Sequence, residues 1–155
     1  MQSNTLINQI SFQRMTIEML PSILIIENQA YPIPWSVQSF KDSLTKDYFC
    51  QVMLLEEQII GYFIIQIILD EFQILNICIS PDYQGKGLGK LQLLEIVKLA
   101  ETKRMNRILL EVRTSNKVAK NLYQNSGFHQ IGKRKNYYPT KSGREDAFVL
   151  ELALG

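Results

Sequence analysis

The chain has 155 residues, 46% of them hydrophobic, a size and composition that predict one globular domain over residues 1–155. Lys and Arg number 17 against 15 Asp and Glu, which gives a formal net charge of +2. A charge this small argues against direct binding to nucleic acid or to an anionic membrane. The longest apolar stretch, residues 59–69, is interrupted by Gly61 and Gln66, and the N-terminal residues are polar, so neither a membrane span nor a signal peptide is expected.

The two cysteines, Cys50 and Cys78, lack the spacing of metal ligands, and each lies in an apolar stretch. Buried, reduced thiols are therefore favoured over a disulfide, a metal site or a nucleophile. The sequence accordingly predicts a cytoplasmic protein that binds no metal.

The N-terminal half predicts a strand at Ile10–Arg14, followed by a helix that carries Pro21 in its first turn. This helix should end near Tyr31–Pro32, and Ser36 is the expected N-cap of a short helix through Leu44. Three strands rich in Ile, Val and Phe should follow, and their short connections make them antiparallel. Their expected bounds are Phe49–Leu55, Ile59–Ile68 and Glu71–Ile79.

Apolar residues then recur with helical spacing from Lys90 to about Arg104, which predicts a helix packed on the sheet. A strand at Arg107–Val112 and a helix at Asn116–Gln124 follow, and Gly127 has the position of the glycine that ends a helix.

The C-terminal part is expected to be β structure. Phe128–Ile131 and Ala147–Leu152 are strand-like, and a polar loop at residues 133–146, rich in tyrosine and basic side chains, should connect them.

A glycine-rich loop lies between the third of the antiparallel strands and the long helix. Its residues are Gln84, Gly85, Lys86, Gly87, Leu88, Gly89 and Lys90. Glycines without Cβ atoms let backbone N–H groups converge on an anion at the N-terminus of a helix. Leu91, where a Walker motif requires Ser or Thr, argues against a nucleotide site of that kind, and the spacing differs from the dinucleotide motif. On spacing alone, a flexible turn remains an alternative to a phosphate site.

The loop matches the Q/R-x-x-G-x-G/A signature of the GCN5-related N-acetyltransferases (GNAT), and the chain resembles this family from Phe12 onward. Two further blocks, residues 31–36 and residues 137–147, resemble its RimI subgroup. The resemblance implies an α/β (α+β) fold with a mixed, mostly antiparallel, twisted sheet of about seven strands and about four helices, splayed at the acetyl-CoA site. It also implies acetyl-CoA as cosubstrate and, as acceptor, the N-terminal alanine of the small-subunit ribosomal protein numbered eighteen.

The resemblance implies the cofactor contacts. The residues from Gln84 to Lys90 would bind the pyrophosphate, and the backbone of Ile77, Cys78 and Ile79 would pair with the pantetheine arm. Asn116 matches a further polar contact to that arm.

Glu111 is the candidate general base, because a carboxylate in the apolar strand Ile108–Val112 is costly without a purpose. From the strand pattern alone, an exposed position paired with Arg107 or Arg113 is the alternative. The resemblance favours the base, since Glu111 matches the family's proton acceptor.

Tyr123 is the candidate general acid, because a phenol is protonated at neutral pH and can donate a proton to a leaving thiolate. By helical spacing it shares a face with Ala119 and Leu122, so a packed core aromatic is the alternative. The resemblance again favours the catalytic role.

The resemblance further suggests that Tyr31, Trp35, Tyr137 and Tyr138 line the groove for the acceptor. The basic and aromatic residues 133–146 also fit an RNA-binding platform or a solvated loop. Three hypotheses therefore remain: an N-terminal acetyltransferase, an acetyltransferase for a small amine, and a noncatalytic module that binds CoA or RNA.

Overall fold

A computed structural model describes residues 6–155 and contains one seven-stranded sheet in the order β1-β2-β3-β4-β5-β7-β6. The strands are β1 (Ile10–Arg14), β2 (Tyr48–Leu55), β3 (Gln58–Ile68), β4 (Glu71–Ile79), β5 (Arg107–Arg113), β6 (His129–Thr140) and β7 (Gly143–Ala153). The helices are α1 (Leu20–Ala30), α2 (Val37–Asp42), α3 (Leu88–Thr102) and α4 (Lys117–Asn125), and residues 6–8 are also helical.

The pairing of the strands confirms the predicted mixed, mostly antiparallel sheet. Within the described chain, β4 and β5 pair in parallel and the other neighbouring strands pair antiparallel. Pro21 lies in the first turn of α1, and the Ser36 side chain accepts a hydrogen bond of 3.1 Å from the Ser39 N–H, as expected of an N-cap. No helix in residues 6–155 is long and apolar enough to cross a membrane.

The prediction of a polar loop at residues 133–146 is wrong. β6 continues to Thr140 and β7 begins at Gly143, so most of this segment is a β-hairpin. Most of the β6 side chains are exposed. From Lys133 to Tyr137, the side chains on both faces of the strand are exposed. Because neither face of this part of β6 is buried in a core, the alternation of apolar and polar residues that reveals a strand is missing.

A β-bulge in β4 determines where the functional site can form. Ile64 of β3 is opposite Asn76, and the next residue, Ile65, is opposite Ile74, so Leu75 is an extra residue. A bulge bends the strand and moves the following side chains to the opposite face of the sheet. Accordingly, Ile74 packs in the core beneath α3 and α4, whereas Cys78 packs in the core beneath α1.

The parallel pairing of β4 and β5 ends at this bulge. Its last register pair is Ile74 with Leu110, although β4 continues to Ile79 and β5 to Arg113. The two strands remain paired with β3 and β7 on their outer sides. The sheet is therefore splayed between β4 and β5, as the resemblance implied.

Candidate active site

A cleft of about 1020 Å³ lies where β4 and β5 separate, bounded by α4, the segment after α1 and the β6–β7 hairpin. Six of the residues that the sequence predicted to act through their side chains line this cleft. They are Tyr31, Trp35, Glu111, Asn116, Tyr123 and Tyr138. The bulge at Leu75 opens the space, and tertiary contacts bring to it side chains from four separate parts of the chain.

The open edge of β4 presents backbone groups to this region. The Ile77 carbonyl accepts a hydrogen bond of 2.7 Å from the Tyr31 hydroxyl, and the Ile79 carbonyl accepts one of 3.0 Å from Gln84 Nε2. In a strand the N–H and C=O groups of one residue point to the same side, and successive residues alternate. The N–H groups of Ile77 and Ile79 therefore face away from β3, whereas the backbone of Cys78, opposite Tyr62, faces β3.

The glycine loop lies beyond Ile79, at the C-terminal end of β4, and is not among the residues that line the cleft. Gly85 and Gly87 have φ values of 77° and 81°, in the left-handed region that favours glycine. Within residues 6–155, no protein acceptor contacts the N–H groups of residues 85–90. These N–H groups lie at the N-terminus of α3, so they fit an anion such as a pyrophosphate.

Leu88 and Gly89 fix this loop to the rest of the protein. The Leu88 side chain is only 1% exposed and packs with Met53 and Ile60. A Cβ atom on Gly89 would come within 3.0 Å of Leu122 Cδ2, so glycine allows α3 to approach α4 closely. Lys86 and Lys90 remain exposed beside the free N–H groups, where their charges can attract an anion.

If the glycine loop holds the pyrophosphate of acetyl-CoA, as the resemblance implies, replacing Gly87 with Ala should weaken the binding of this cosubstrate. In the free variant the loop can relax out of the left-handed conformation, and recovering this conformation on binding costs an L-residue about 1–2 kcal/mol, which corresponds to a rise of roughly 5–30-fold in the KM for acetyl-CoA. The kcat at saturation should change little, because the loop lies away from the cleft. Initial rates measured over a range of acetyl-CoA concentrations test this.

Gly132→Ala is the matched control for that measurement. A Cβ atom at Gly132 would meet Val149 Cβ at 3.9 Å, an ordinary contact, and the residue is remote from the glycine loop. An unchanged KM in Gly87→Ala, or an equal rise in both variants, would contradict the predicted role of the loop in binding acetyl-CoA.

Glu111 lies on β5 with its side chain 24% exposed, and its Oε1 atom forms an ion pair of 3.0 Å with Arg134 Nε. The sequence alternative, a pair with Arg107 or Arg113, is not what the structure contains. Arg107 contacts Glu71 and Glu151, and Arg113 contacts Glu145. Glu111 is therefore held by a cation from another strand and remains at the wall of the cleft.

Tyr123 fits both interpretations of its sequence position, because it is a core residue that also reaches the cleft. The residue is 7% exposed, and its ring centroid lies 5.9 Å from that of Phe128. Burial, with smaller contributions from Tyr138 and Cys78, raises the pKa of the Tyr123 phenol. The hydroxyl is thus protonated throughout the neutral range and is available as a proton donor.

Asn116 has a local role in addition to its place in the cleft. It is the N-cap of α4, where its Oδ1 atom accepts a hydrogen bond of 3.1 Å from the Ala119 N–H. This fixes the orientation of the side chain, and the amide nitrogen is left for another partner.

Tyr137 and Tyr138 form an edge-to-face pair with ring centroids 5.0 Å apart, but only Tyr138 lines the cleft. The guanidinium of Arg113 lies 4.5 Å from the Tyr138 centroid, and that of Arg134 lies 5.3 Å from the Tyr137 centroid. Each ring therefore already has a cation over one face.

Cys78 lies near the cleft but is poorly suited to nucleophilic chemistry. Both cysteines are free and buried, as predicted. Burial raises the pKa of the Cys78 thiol to about 11, so almost none of it is thiolate at neutral pH.

Glu27 is a buried residue of the site that the sequence interpretation missed. Its Oε1 atom accepts hydrogen bonds from the Tyr62 hydroxyl at 2.6 Å and from Asn76 Nδ2 at 3.0 Å. Its Oε2 atom accepts one of 2.9 Å from the Trp35 N–H. The side chain thus connects α1 to β3, to β4 beyond the bulge and to the wall of the cleft. The sequence signal for this role was the position of Glu27, one helical turn after Ile23 and therefore on the same buried face of α1.

Replacing Glu27 with Gln is expected to lower the free energy of unfolding by about 1–3 kcal/mol, because an amide has one acceptor oxygen where three donors converge. Chemical denaturation of the purified variant measures this. Glu18→Gln, at an exposed position, removes the same charge and should be neutral. Equal stability of the two variants would contradict the role of the Glu27 network.

The acetyltransferase (GNAT) family matches residues 20–128, a span that contains the glycine loop, Glu111 and Tyr123. The chain belongs to this family. GNAT enzymes use acetyl-CoA as the acetyl donor, and the orphan N–H groups of residues 85–90 suit its pyrophosphate.

Individual GNAT relatives resemble the chain over most of its length. A ribosomal protein bS18-alanine N-acetyltransferase from Salmonella typhimurium is 36% identical over 87% of this chain and 91% of the relative. One of the same name from Haemophilus influenzae is 43% identical over 83% of this chain and 88% of the relative. The crystal structure of the ribosomal-protein-S18-alanine N-acetyltransferase from Escherichia coli superposes with a TM-score of 0.89 at 34% identity, covering 94% of each chain.

Proposed function

We propose that this GNAT enzyme acetylates the N-terminal α-amino group of a protein, and that its acceptor is the N-terminal alanine of ribosomal protein bS18. The observation that carries the proposal is the named activity of relatives 36% and 43% identical over more than four fifths of the chain. A ribosomal acceptor implies that the enzyme acts in the cytoplasm.

Acetyl-CoA supplies the acetyl thioester in this reaction. The N–H groups of residues 85–90 bind its pyrophosphate at the N-terminus of α3, beside the charges of Lys86 and Lys90. The Ile77–Ile79 segment pairs with the pantetheine arm along the open edge of β4. The N–H groups of Ile77 and Ile79 point away from β3, toward this edge. Asn116 adds a polar contact from the N-terminus of α4.

Glu111 acts as general base by accepting a proton from the acceptor amine, directly or through a water molecule. An α-amino group has a reference pKa of about 7.7–8.0 against about 10.4 for lysine, so its deprotonation costs roughly 3–4 kcal/mol less. A carboxylate is sufficient for such an amine.

Tyr123 acts as general acid. Its hydroxyl donates a proton to the sulfur as the bond between the sulfur and the acetyl carbon breaks, and the amine forms the new bond to that carbon directly. A path through an acetylated cysteine is disfavoured because burial raises the pKa of Cys78 to about 11.

Tyr31, Trp35 and Tyr138 wall the acceptor groove. An RNA platform at the hairpin is less favoured, because Arg113 and Arg134 each cover one face of the rings on which bases would stack. Tyr137 lies at the outer edge of this groove, beside Glu111 rather than in the lining of the cleft.

The proposal is tested by incubating the enzyme with acetyl-CoA and a set of acceptors, then locating the acetyl group by mass spectrometry. The set contains a peptide with the bS18 N-terminus, the same peptide with its α-amino group blocked, peptides with internal lysines, and polyamines. We expect acetylation of the free bS18 N-terminus and none of its blocked counterpart.

Other outcomes separate the remaining hypotheses. Acetylation of polyamines alone would favour a small-amine acetyltransferase, and acetylation of internal lysines alone would contradict N-terminal specificity. Binding of acetyl-CoA without transfer to any acceptor would favour a noncatalytic module.

A further inference from the structure

Arg134 is the ion-pair partner of Glu111, although it comes from an exposed part of β6. Its Nε atom lies 3.0 Å from Glu111 Oε1, and its side chain is 56% exposed. An ion pair this accessible to water adds little to the free energy of unfolding. Stability therefore does not account for a cation held against a carboxylate of the cleft.

The neighbouring charged groups already have other partners. Arg113, the next residue on the same face of β5, pairs with Glu145 at 3.0 Å. Lys133 pairs with Asp146 at 3.4 Å. Among the described residues, Arg134 is therefore the cation that pairs with Glu111.

The backbone of β6 places Arg134 by means of an irregularity. Arg134 is opposite Ala147, whereas the next paired residue, Tyr138, is opposite Glu145, so residues 135–137 bulge out of the β6–β7 register. Asn136 in this bulge has a φ of 51°, and its N–H donates to Asp146 Oδ1 at 2.9 Å. Such bulges redirect side chains next to functional sites.

Arg144 and Tyr137 complete the support of this bulge. The Arg144 guanidinium donates to the carbonyls of Asn136 and Tyr137, at 2.8 and 2.9 Å. The Tyr137 ring lies under the Arg134 guanidinium, and interaction with the Glu111 carboxylate raises the pKa of the Tyr137 phenol. Arg134, Tyr137 and Glu111 therefore form one cluster across two strands that are not neighbours in the sheet.

We propose that Arg134 is a positioning residue that holds Glu111 through Oε1 and thereby directs Oε2 to the proton of the acceptor amine. This inference rests on the proposed role of Glu111 as general base. The rotation of a carboxylate determines which oxygen meets the proton, and small errors in such geometry reduce turnover.

The test measures kcat and KM for Arg134→Met, Arg134→Lys and Lys135→Met. Arg134→Met is expected to lower kcat about 10-fold and to leave the KM for acetyl-CoA unchanged. Arg134→Lys should restore part of the loss, because it returns a cation to the same place. Lys135→Met removes one charge from the adjacent exposed position and should behave as the wild type. Equal thermal unfolding midpoints for the two Met variants would exclude a difference in folding.

A double-mutant cycle with Glu111→Gln separates the role of Arg134 from that of the base. If Arg134 acts through Glu111, Arg134→Met should change kcat less than about 2-fold in the Glu111→Gln background. The same 10-fold loss in both backgrounds, or wild-type kcat in Arg134→Met, would overturn the role of Arg134 alone. Full turnover by Glu111→Gln would instead overturn the base assignment, and the role of Arg134 with it.

Discussion

Glu111→Gln is expected to lower kcat for acetylation of an N-terminal peptide by about 10²–10⁴-fold, the range typical of a lost general base. The amide retains the size of the side chain but cannot accept the proton. The deficit should be largest at low pH and shrink as the pH rises. Below the amine's reference pKa of about 7.7–8.0 the acceptor is mostly protonated and needs the base, whereas above it the amine is already neutral.

The measurement is a pH profile of turnover together with acetyl-CoA affinity, which should remain near that of the wild type. Glu101→Gln, at an exposed position of α3, is the matched control and should be silent. A Glu111→Gln deficit that is absent, or that is constant across pH, would contradict the assignment.

Tyr123→Phe is expected to slow the chemical step by about 10²-fold, within the range for loss of a general acid. The ring that packs against Phe128 is retained, so folding and acetyl-CoA binding should be nearly unchanged. Only the hydroxyl, whose proton is held by the raised pKa of the buried phenol, is removed. Single-turnover experiments measure the step apart from product release.

A change of leaving group makes this second prediction specific. With an acetyl thioester of a more acidic thiol, the sulfur needs less help from a proton, and the deficit of Tyr123→Phe should shrink. Tyr48→Phe, on the distant strand β2, serves as a control for loss of a phenol hydroxyl. Unchanged single-turnover rates in Tyr123→Phe would remove Tyr123 from the role of acid.

Much of the fold was predictable because local signals were strong. The strand at Ile10–Arg14 was predicted with its observed bounds, and the Ser36 cap was predicted from residue type. Helix α3 begins at Leu88 rather than Lys90, because the glycine loop passes directly into its first turn. The outer part of the β6–β7 hairpin, residues 133–146, was predicted as a loop because its polar strands lack the periodicity that a buried face imposes.

The main residues of the candidate site were predictable from the sequence, but their contacts were not. The sequence pointed to Glu111, Tyr123, Asn116 and the glycine loop, whose catalytic and binding roles remain predictions. It gave no indication of the partner of Glu111, because pairing with Arg134 depends on a bulge between β6 and β7. Glu27 was overlooked because its three donors come from β3, β4 and the segment after α1.

The sequence by itself determined the family, through the spacing of glycines at 85, 87 and 89 and the separated blocks around them. That spacing is a local property, because left-handed backbone and a helix N-terminus are encoded within a few residues. Only the tertiary structure decided where β4 and β5 separate, and therefore which side chains share the cleft. The bulge at Leu75 and the network at Glu27 join segments distant in sequence, and such contacts depend on strand register, which local patterns do not specify.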